Sequence, residues 1–179
     1  GEDIQAPLDA RYGYVCPNVI DWNDDGRLDI LFSDARGKHM RLLGKEGPAE
    51  DCLDLEHAIY CNDLDLHGTW RCRPGIAKTT KKTIYITLDD NNELHLYSKI
   101  DTYNLKDEGK LHLKDGKTIP ASTAQSGGTG RLKIDITDWD GDGKLDLILG
   151  TCKHHSIPGH KGLPEKYHSK DLQSIREEK

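Results

Sequence analysis

The residues best suited to chemistry are aspartates in two short loops. The first loop runs from Asp21 to Asp29 (DWNDDGRLD) and the second from Asp138 to Asp146 (DWDGDGKLD). Each loop carries side-chain oxygens at positions 1, 3, 5 and 9 and a glycine at position 6. Closely spaced oxygens around a glycine that permits a sharp turn suit Ca²⁺, which takes about six to eight oxygen ligands. The spacing therefore predicts two calcium ions, one in each loop.

Side-chain oxygens supply most of the predicted ligands, and a backbone carbonyl at position 7 supplies the rest. An EF-hand is excluded, because Phe32 and Leu149 occupy position 12, where an EF-hand carries a bidentate glutamate. Mg²⁺ suits the loops less well, because it retains its waters and demands stricter octahedral geometry. The predicted ligands are Asp21, Asn23, Asp25, Arg27 and Asp29 in the first loop, and Asp138, Asp140, Asp142, Lys144 and Asp146 in the second.

The alternative interpretation is that both loops are ordinary Asp-Gly turns that bind no ion. The recurrence of one nine-residue spacing in two places argues against it. An apolar strand follows each loop, which indicates that a bound ion stabilises a corner between strands.

The chain between the two loops contains a degenerate third copy of the repeat. Residues 83–88 alternate Ile84, Ile86 and Leu88 with polar or aromatic residues, which is typical of a strand. An Asp-Asp-Asn-Asn turn at 89–92 and renewed alternation at 93–97 predict a β-hairpin. This copy lacks the loop aspartates, so no third calcium ion is predicted.

Short apolar runs elsewhere predict an all-β fold. Further strands are expected at 17–21, 28–33, 39–43, 53–60, 100–103, 111–113 and 132–136. No window before position 165 has helical periodicity, and 153–179 is expected to be a polar loop and tail or a short helix.

The loops and their flanking strands resemble the VCBS or FG-GAP repeat. The shared motif is D-x-D-x-D-G-x-x-D, preceded by an apolar strand ending in Asp-Trp and followed by another apolar strand; Asn23 is the one ligand exchange. The Phe-Gly and Gly-Ala-Pro signatures of one branch are absent, so the resemblance is to the VCBS type. It covers roughly residues 11–152 and implies a region of β-propeller blades at 1–152. The blades are expected at about 11–62, 63–120 and 121–152 onward.

Three four-stranded blades fall short of a closed propeller, which usually has about four to eight. The resemblance therefore implies a segment of a larger propeller. The remaining blades would come from the same longer chain or from another chain.

Composition excludes two classes of partner. The net charge is −6 and no stripe of lysine and arginine is present, which argues against nucleic acid. With 31% charged residues, no stretch approaches the roughly 20 apolar residues of a membrane span. Five cysteines without a CxxC pair argue against a zinc knuckle, and a bridge between Cys52 and Cys61 stays open.

The resemblance implies a secreted protein, extracellular or periplasmic, although no signal peptide is visible. Proteins with this repeat include integrin α-chain heads and bacterial proteins that degrade polysaccharides. The expected function is accordingly binding or lyase-type cleavage of an acidic polysaccharide. The alternatives are an integrin-like adhesion module and a purely structural scaffold, and whether the chain is an enzyme stays open.

Candidate catalytic or ligand-binding residues lie in two loop segments, 66–74 and 152–160. Arginine binds a uronate carboxylate, and histidine acts as an acid or base. The alternative is that these are exposed polar residues without a ligand. The candidates, expected to share one face, are His67, Arg71, Arg73, His154 and His155.

Overall fold

The computed structural model describes residues 15–34, 36–48, 52–54, 57–69, 71–119 and 132–150. These residues form twelve β-strands and no helix, which confirms the all-β prediction. The strands are β1 (Cys16–Ile20), β2 (Asp29–Ser33), β3 (His39–Leu42), β4 (His57–Ala58), β5 (Tyr60–Cys61), β6 (Leu64–Asp65), β7 (Gly75–Lys78), β8 (Thr83–Leu88), β9 (Leu94–Lys99), β10 (Asn104–Lys110), β11 (Lys133–Thr137) and β12 (Asp146–Gly150).

The strands assemble into three open sheets. The first sheet is an antiparallel meander in the order β1-β2-β3-β4. The second contains a similar meander, β7-β8-β9-β10, extended by β5 parallel to β10 and by β6. The third consists of β11 and β12. No sheet closes into a barrel, and the described residues do not form a closed propeller.

The repeat seen in the sequence is also a repeat of strand pairing. The pair Cys16 and Ser33 of the first sheet corresponds to Lys133 and Gly150 of the third. The next three pairs correspond in the same way. In the fifth and last pair, Asp29 of the first sheet corresponds to Asp146 of the third, and each is the first residue of its strand. The first and third sheets therefore share one register around their aspartate loops.

The predicted strand at 100–103 is wrong. These residues form a turn, in which the Asp101 carboxylate accepts hydrogen bonds from the backbone amides of Tyr103 (2.7 Å) and Asn104 (2.8 Å). The strand comes after this turn, as β10. Its sequence, NLKDEGK, is mostly charged and has one apolar residue, Leu105, so no apolar alternation indicated it.

Two hydrophobic clusters hold the sheets together. The first cluster lies between the first and second sheets and contains Trp22, Leu31, Tyr85 and Tyr97. The second lies between the second and third sheets, where Ile86 and Leu88 face residues of β11 and β12.

Trp22 anchors the first aspartate loop on the second sheet. Its side chain is fully buried, and its indole N–H donates to the carbonyl of Thr102 at 2.9 Å. Its ring meets the Tyr85 ring edge-on with centroids 6.3 Å apart, and the Lys99 ammonium lies 5.1 Å from its centroid.

A buried polar group, His39, joins the same two sheets. Its Nδ1 lies 2.6 Å from the Tyr85 hydroxyl, and its Nε2 lies 3.4 Å from the Thr87 hydroxyl. Burial lowers the pKa of His39 to about 3, because a charged imidazolium would lose its hydration. The folded protein therefore keeps this imidazole neutral.

We expect His39 to make folding pH-dependent. Its ordinary pKa is 6.5, so between there and about 3 the unfolded chain binds more protons than the folded one. The stability due to neutral His39 is complete above the unfolded pKa and is lost as the pH falls. From pH 7 to pH 5 the loss should be about 2 kcal/mol.

Urea unfolding of the protein at both pH values measures this change, and the His39→Gln variant is the control. The variant should lose about 2 kcal/mol less than the wild type over the same interval. Equal losses in the two proteins would show that His39 is not the group responsible.

Candidate metal centre

Three aspartates of the second loop converge on one point. Asp138, Asp140 and Asp146 each place a carboxylate oxygen within 4.8 Å of the other two. Asp138 and Asp140 are exposed, whereas Asp146 is half-buried at the start of β12. Like charges this close repel one another, and a hard cation among them would relieve the repulsion.

The two loops adopt the same unusual backbone conformation. The glycine at position 6 has a left-handed φ in both, 85° at Gly26 and 82° at Gly143. Position 4 is also left-handed, with φ of 65° at Asp24 and 75° at Gly141. Glycine adopts this region freely and aspartate tolerates it, so both sequences permit the same turn.

The same hydrogen bonds from backbone amides orient the carboxylates in both loops. Position 1 accepts from the amide of position 6 at 3.2 Å in the first loop and 2.9 Å in the second, and position 9 accepts from position 2 at 2.6 and 2.9 Å. Positions 3 and 5 each accept from the amide two residues later. The acceptor and donor pairs are Asp21–Gly26, Asn23–Asp25, Asp25–Arg27 and Asp29–Trp22 in the first loop, and Asp138–Gly143, Asp140–Asp142, Asp142–Lys144 and Asp146–Trp139 in the second.

The remaining predicted carboxylate of the second loop, Asp142, faces the side chain of Lys144 instead. Its Oδ2 accepts a hydrogen bond from the Lys144 ammonium, and its Oδ1 accepts from the Lys144 amide at 2.9 Å. The Lys144 ammonium and amide lower the pKa of Asp142. Asp142 thus stays ionised, but it lies outside the cluster of three.

More positive side chains contact the first loop than the second. The Lys78 ammonium lies 2.5 Å from Oδ1 of Asp24 and 3.8 Å from Oδ2 of Asp21. Lys99 reaches the other oxygen of Asp24 at 3.1 Å. Hydrogen bonds from both lysines lower the pKa of Asp24, and Asp24 in turn raises the pKa of Lys78.

Asp29 of the first loop is fully buried and already bound by backbone donors. Its Oδ2 accepts from the amides of Trp22 at 2.6 Å and Asn23 at 3.2 Å, and its Oδ1 accepts from the amide of Gly44 at 2.7 Å. This carboxylate therefore ties the loop to its own sheet even without a cation.

Sequence reasoning missed both lysines of the second sheet that reach the first loop. Lys78 and Lys99 lie 54 and 75 positions from Asp24. Their local sequence gives no sign of the contact, because it depends on how the two sheets pack.

The three candidate ligand-binding residues that the structure describes make different contacts. His67 is exposed and forms an isolated antiparallel bridge with Lys38. Arg73 is half-buried, and its Nε and Nη2 donate to Oδ1 of Asn18 at 3.2 and 2.8 Å, so its guanidinium joins β1 to the start of β7. Arg71 is half-buried, and its carbonyl accepts from the Lys133 ammonium at 3.0 Å.

His154 and His155 lie outside the described residues, so the shared face stays a prediction. The structure contains no disulfide between Cys61 and Cys52, the bridge that the sequence left open. Burial raises the pKa of the Cys61 thiol.

Comparison of the chain with protein-family models, curated proteins and solved structures found no match. Among the described residues, no helix is long and apolar enough to cross a membrane.

Proposed function

We propose that this chain is a calcium-binding all-β module of the propeller type, in which bound calcium stabilises the corners between strands. The observation that carries the proposal is the convergence of Asp138, Asp140 and Asp146 within 4.8 Å. Three oxygen donors with a net negative charge fit Ca²⁺, and no soft nitrogen or sulfur ligand stands among them.

The first loop supports a second calcium site. It has the backbone conformation and carboxylate hydrogen bonds of the second loop, with Asn23 at the position of Asp140. We expect its affinity to be lower, for two reasons. It has one carboxylate fewer, and the Lys78 ammonium lies 3.8 Å from Asp21.

The position of the loops supports a structural role for calcium. Each loop joins the end of one strand to the start of its antiparallel neighbour, and its last aspartate is the first residue of that neighbour. A bound calcium ion would hold Asp21 close to Asp29 in the first loop and Asp138 close to Asp146 in the second.

Two features support the propeller type. The first sheet is a four-stranded antiparallel meander in chain order, and the second contains another. The first strands of successive meanders also lie side by side, because Arg73 contacts Asn18 and forms a parallel bridge with Lys133. A secreted location is part of this proposal, because extracellular modules use calcium sites.

No contact among the described residues favours polysaccharide binding over an adhesion or scaffold role. The Arg73 guanidinium is hydrogen-bonded to Asn18. His67 and Arg71 do not form a binding site by themselves. Calcium-dependent stabilisation is therefore the function proposed.

Calorimetric titration of the demetallated protein with Ca²⁺ tests the proposal. We expect two sites, the tighter one in the second loop. Asp138→Asn should abolish the tighter site and Asp21→Asn the weaker one, since each removes the carboxylate at position 1. Mg²⁺ should compete poorly with Ca²⁺.

Asp115→Asn is the matched control, because Asp115 is an exposed aspartate outside both loops that pairs with Lys117. Its two sites should match those of the wild type. The absence of calcium binding, or a third site of similar affinity, would overturn the proposal.

A further inference from the structure

The two aspartate loops differ in the cations that reach them from another sheet. In the first loop, Asp24 at position 4 is contacted by two lysines of the second sheet. Lys78, the last residue of β7, places its Nζ 2.5 Å from Oδ1, and Lys99, the last residue of β9, places its Nζ 3.1 Å from Oδ2. In the second loop, position 4 is Gly141, and the ion pair among the described residues comes from Lys144 within the loop itself.

Lys78 also lies close to a predicted calcium ligand. Its Nζ is 3.8 Å from Oδ2 of Asp21, the carboxylate at position 1 of the first loop. An ammonium group between two carboxylates offsets part of their negative charge, which is what a bound cation would otherwise do. The Lys78 side chain is 34% exposed, so solvent screens these interactions only in part. The second sheet therefore supplies the first loop with a positive charge of the protein's own.

The packing of the two sheets fixes the positions of these lysines. The Lys99 side chain is only 13% exposed, and its ammonium also donates to the Trp22 carbonyl and lies 5.1 Å from the centroid of the indole. Trp22 is fully buried and meets Tyr85 of β8, the strand between β7 and β9. Because these three strands are adjacent, the contact that buries Trp22 also brings Lys78 and Lys99 to the loop.

We infer that Lys78 is an internal cation of the first loop, which stabilises the loop without calcium and lowers the affinity of the loop for calcium. This inference rests on the proposed function, since it concerns the calcium site of the first loop. The ammonium attracts Asp21 and Asp24 and repels a divalent ion placed among the ligands, so the two cations oppose each other. Such coupling is reciprocal, and bound calcium weakens the contact between Lys78 and the loop by the same factor. The packing of the second sheet on the first thus regulates calcium binding at the first loop.

Calorimetric titration with Ca²⁺ in an Asp138→Asn background tests the inference, because this background should retain the first-loop site alone. Adding Lys78→Met should lower the dissociation constant of that site by about tenfold. Adding Lys78→Arg, which keeps the positive charge, should leave the constant close to that of the background protein. Lys82→Met is the matched control, since Lys82 is an exposed lysine directly before β8 that pairs with Glu108, outside both loops, and its loss should leave the constant unchanged.

Thermal melting of the single variants gives a second readout. In EDTA, Lys78→Met should melt below the wild type, because the first loop has lost its internal cation. In saturating Ca²⁺ the difference should narrow, because the variant binds calcium more tightly and is stabilised more by it. Lys82→Met should differ from the wild type by the same amount in both conditions.

The outcomes separate this inference from the calcium proposal on which it rests. A background protein that binds one calcium ion with the same dissociation constant with and without Lys78→Met would overturn the inference alone. A difference in melting temperature between Lys78→Met and the wild type that is equal in EDTA and in Ca²⁺ would do the same. A background protein that binds no calcium, even with Lys78→Met, contradicts the calcium site of the first loop and this inference together.

Discussion

Removal of calcium is expected to lower the melting temperature of this protein strongly. In the second loop three carboxylate oxygens lie within 4.8 Å of one another, and their repulsion destabilises the folded state once no cation is present. A ligand at 100 times its dissociation constant stabilises the folded state by about 2.7 kcal/mol per site. For two sites in a chain of this length, the change in melting temperature should be on the order of 10 °C or more.

Melting curves followed by circular dichroism, with Ca²⁺ and with EDTA, measure this effect. The double variant Asp21→Asn, Asp138→Asn should melt at the same temperature in both conditions, because each loop has lost a ligand. The Asp115→Asn variant should retain the full difference. An identical melting temperature for the wild type in Ca²⁺ and EDTA would rule out a structural role for the ion.

The second large effect is expected from Trp22→Ala. Trp22 fills the contact between the first and second sheets, and its replacement leaves a cavity and removes the hydrogen bond to Thr102. Truncation of a buried tryptophan costs about 3–5 kcal/mol. Since proteins are stable by only about 5–15 kcal/mol, this variant should be severely destabilised.

The matched control is Trp139→Ala, which removes the same side chain from the equivalent but exposed position. Measured by urea unfolding at concentrations where the chain is monomeric, it should change the free energy of unfolding by no more than about 0.5 kcal/mol. Similar losses in the two variants would show that the two tryptophans occupy similar environments, contrary to the structure.

Much of the local structure was predictable from the sequence. Strand β8 matches the predicted range 83–88, and β9 begins at Leu94, within the alternating segment. Strict alternation identifies such strands because successive side chains of a strand point to opposite faces of the sheet. Strand β10 was missed. The described residues of the predicted strand 53–60 contribute to the two short strands β4 and β5, since edge pairing there depends on neighbouring strands more than on side-chain pattern.

The candidate metal loops were predictable for the same local reason. The ligand oxygens lie within nine residues of one another, and the φ values of Gly26 and Gly143 follow from the residue type that the turn requires. The sequence did not show that Asp142 turns toward Lys144, or that Lys78 approaches Asp21. These contacts depend on side-chain rotamers and on the position of another sheet.

The sequence by itself determined the all-β class, the repeated loop and the grouping of its carboxylates, because each depends on residues only a few positions apart. The tertiary structure alone decided what each repeat contacts. Trp22 and Trp139 follow the same first aspartate of the same motif, yet one is fully buried and the other 76% exposed. Burial depends on the neighbouring sheet, which is distant in the sequence, so identical local motifs reach different environments.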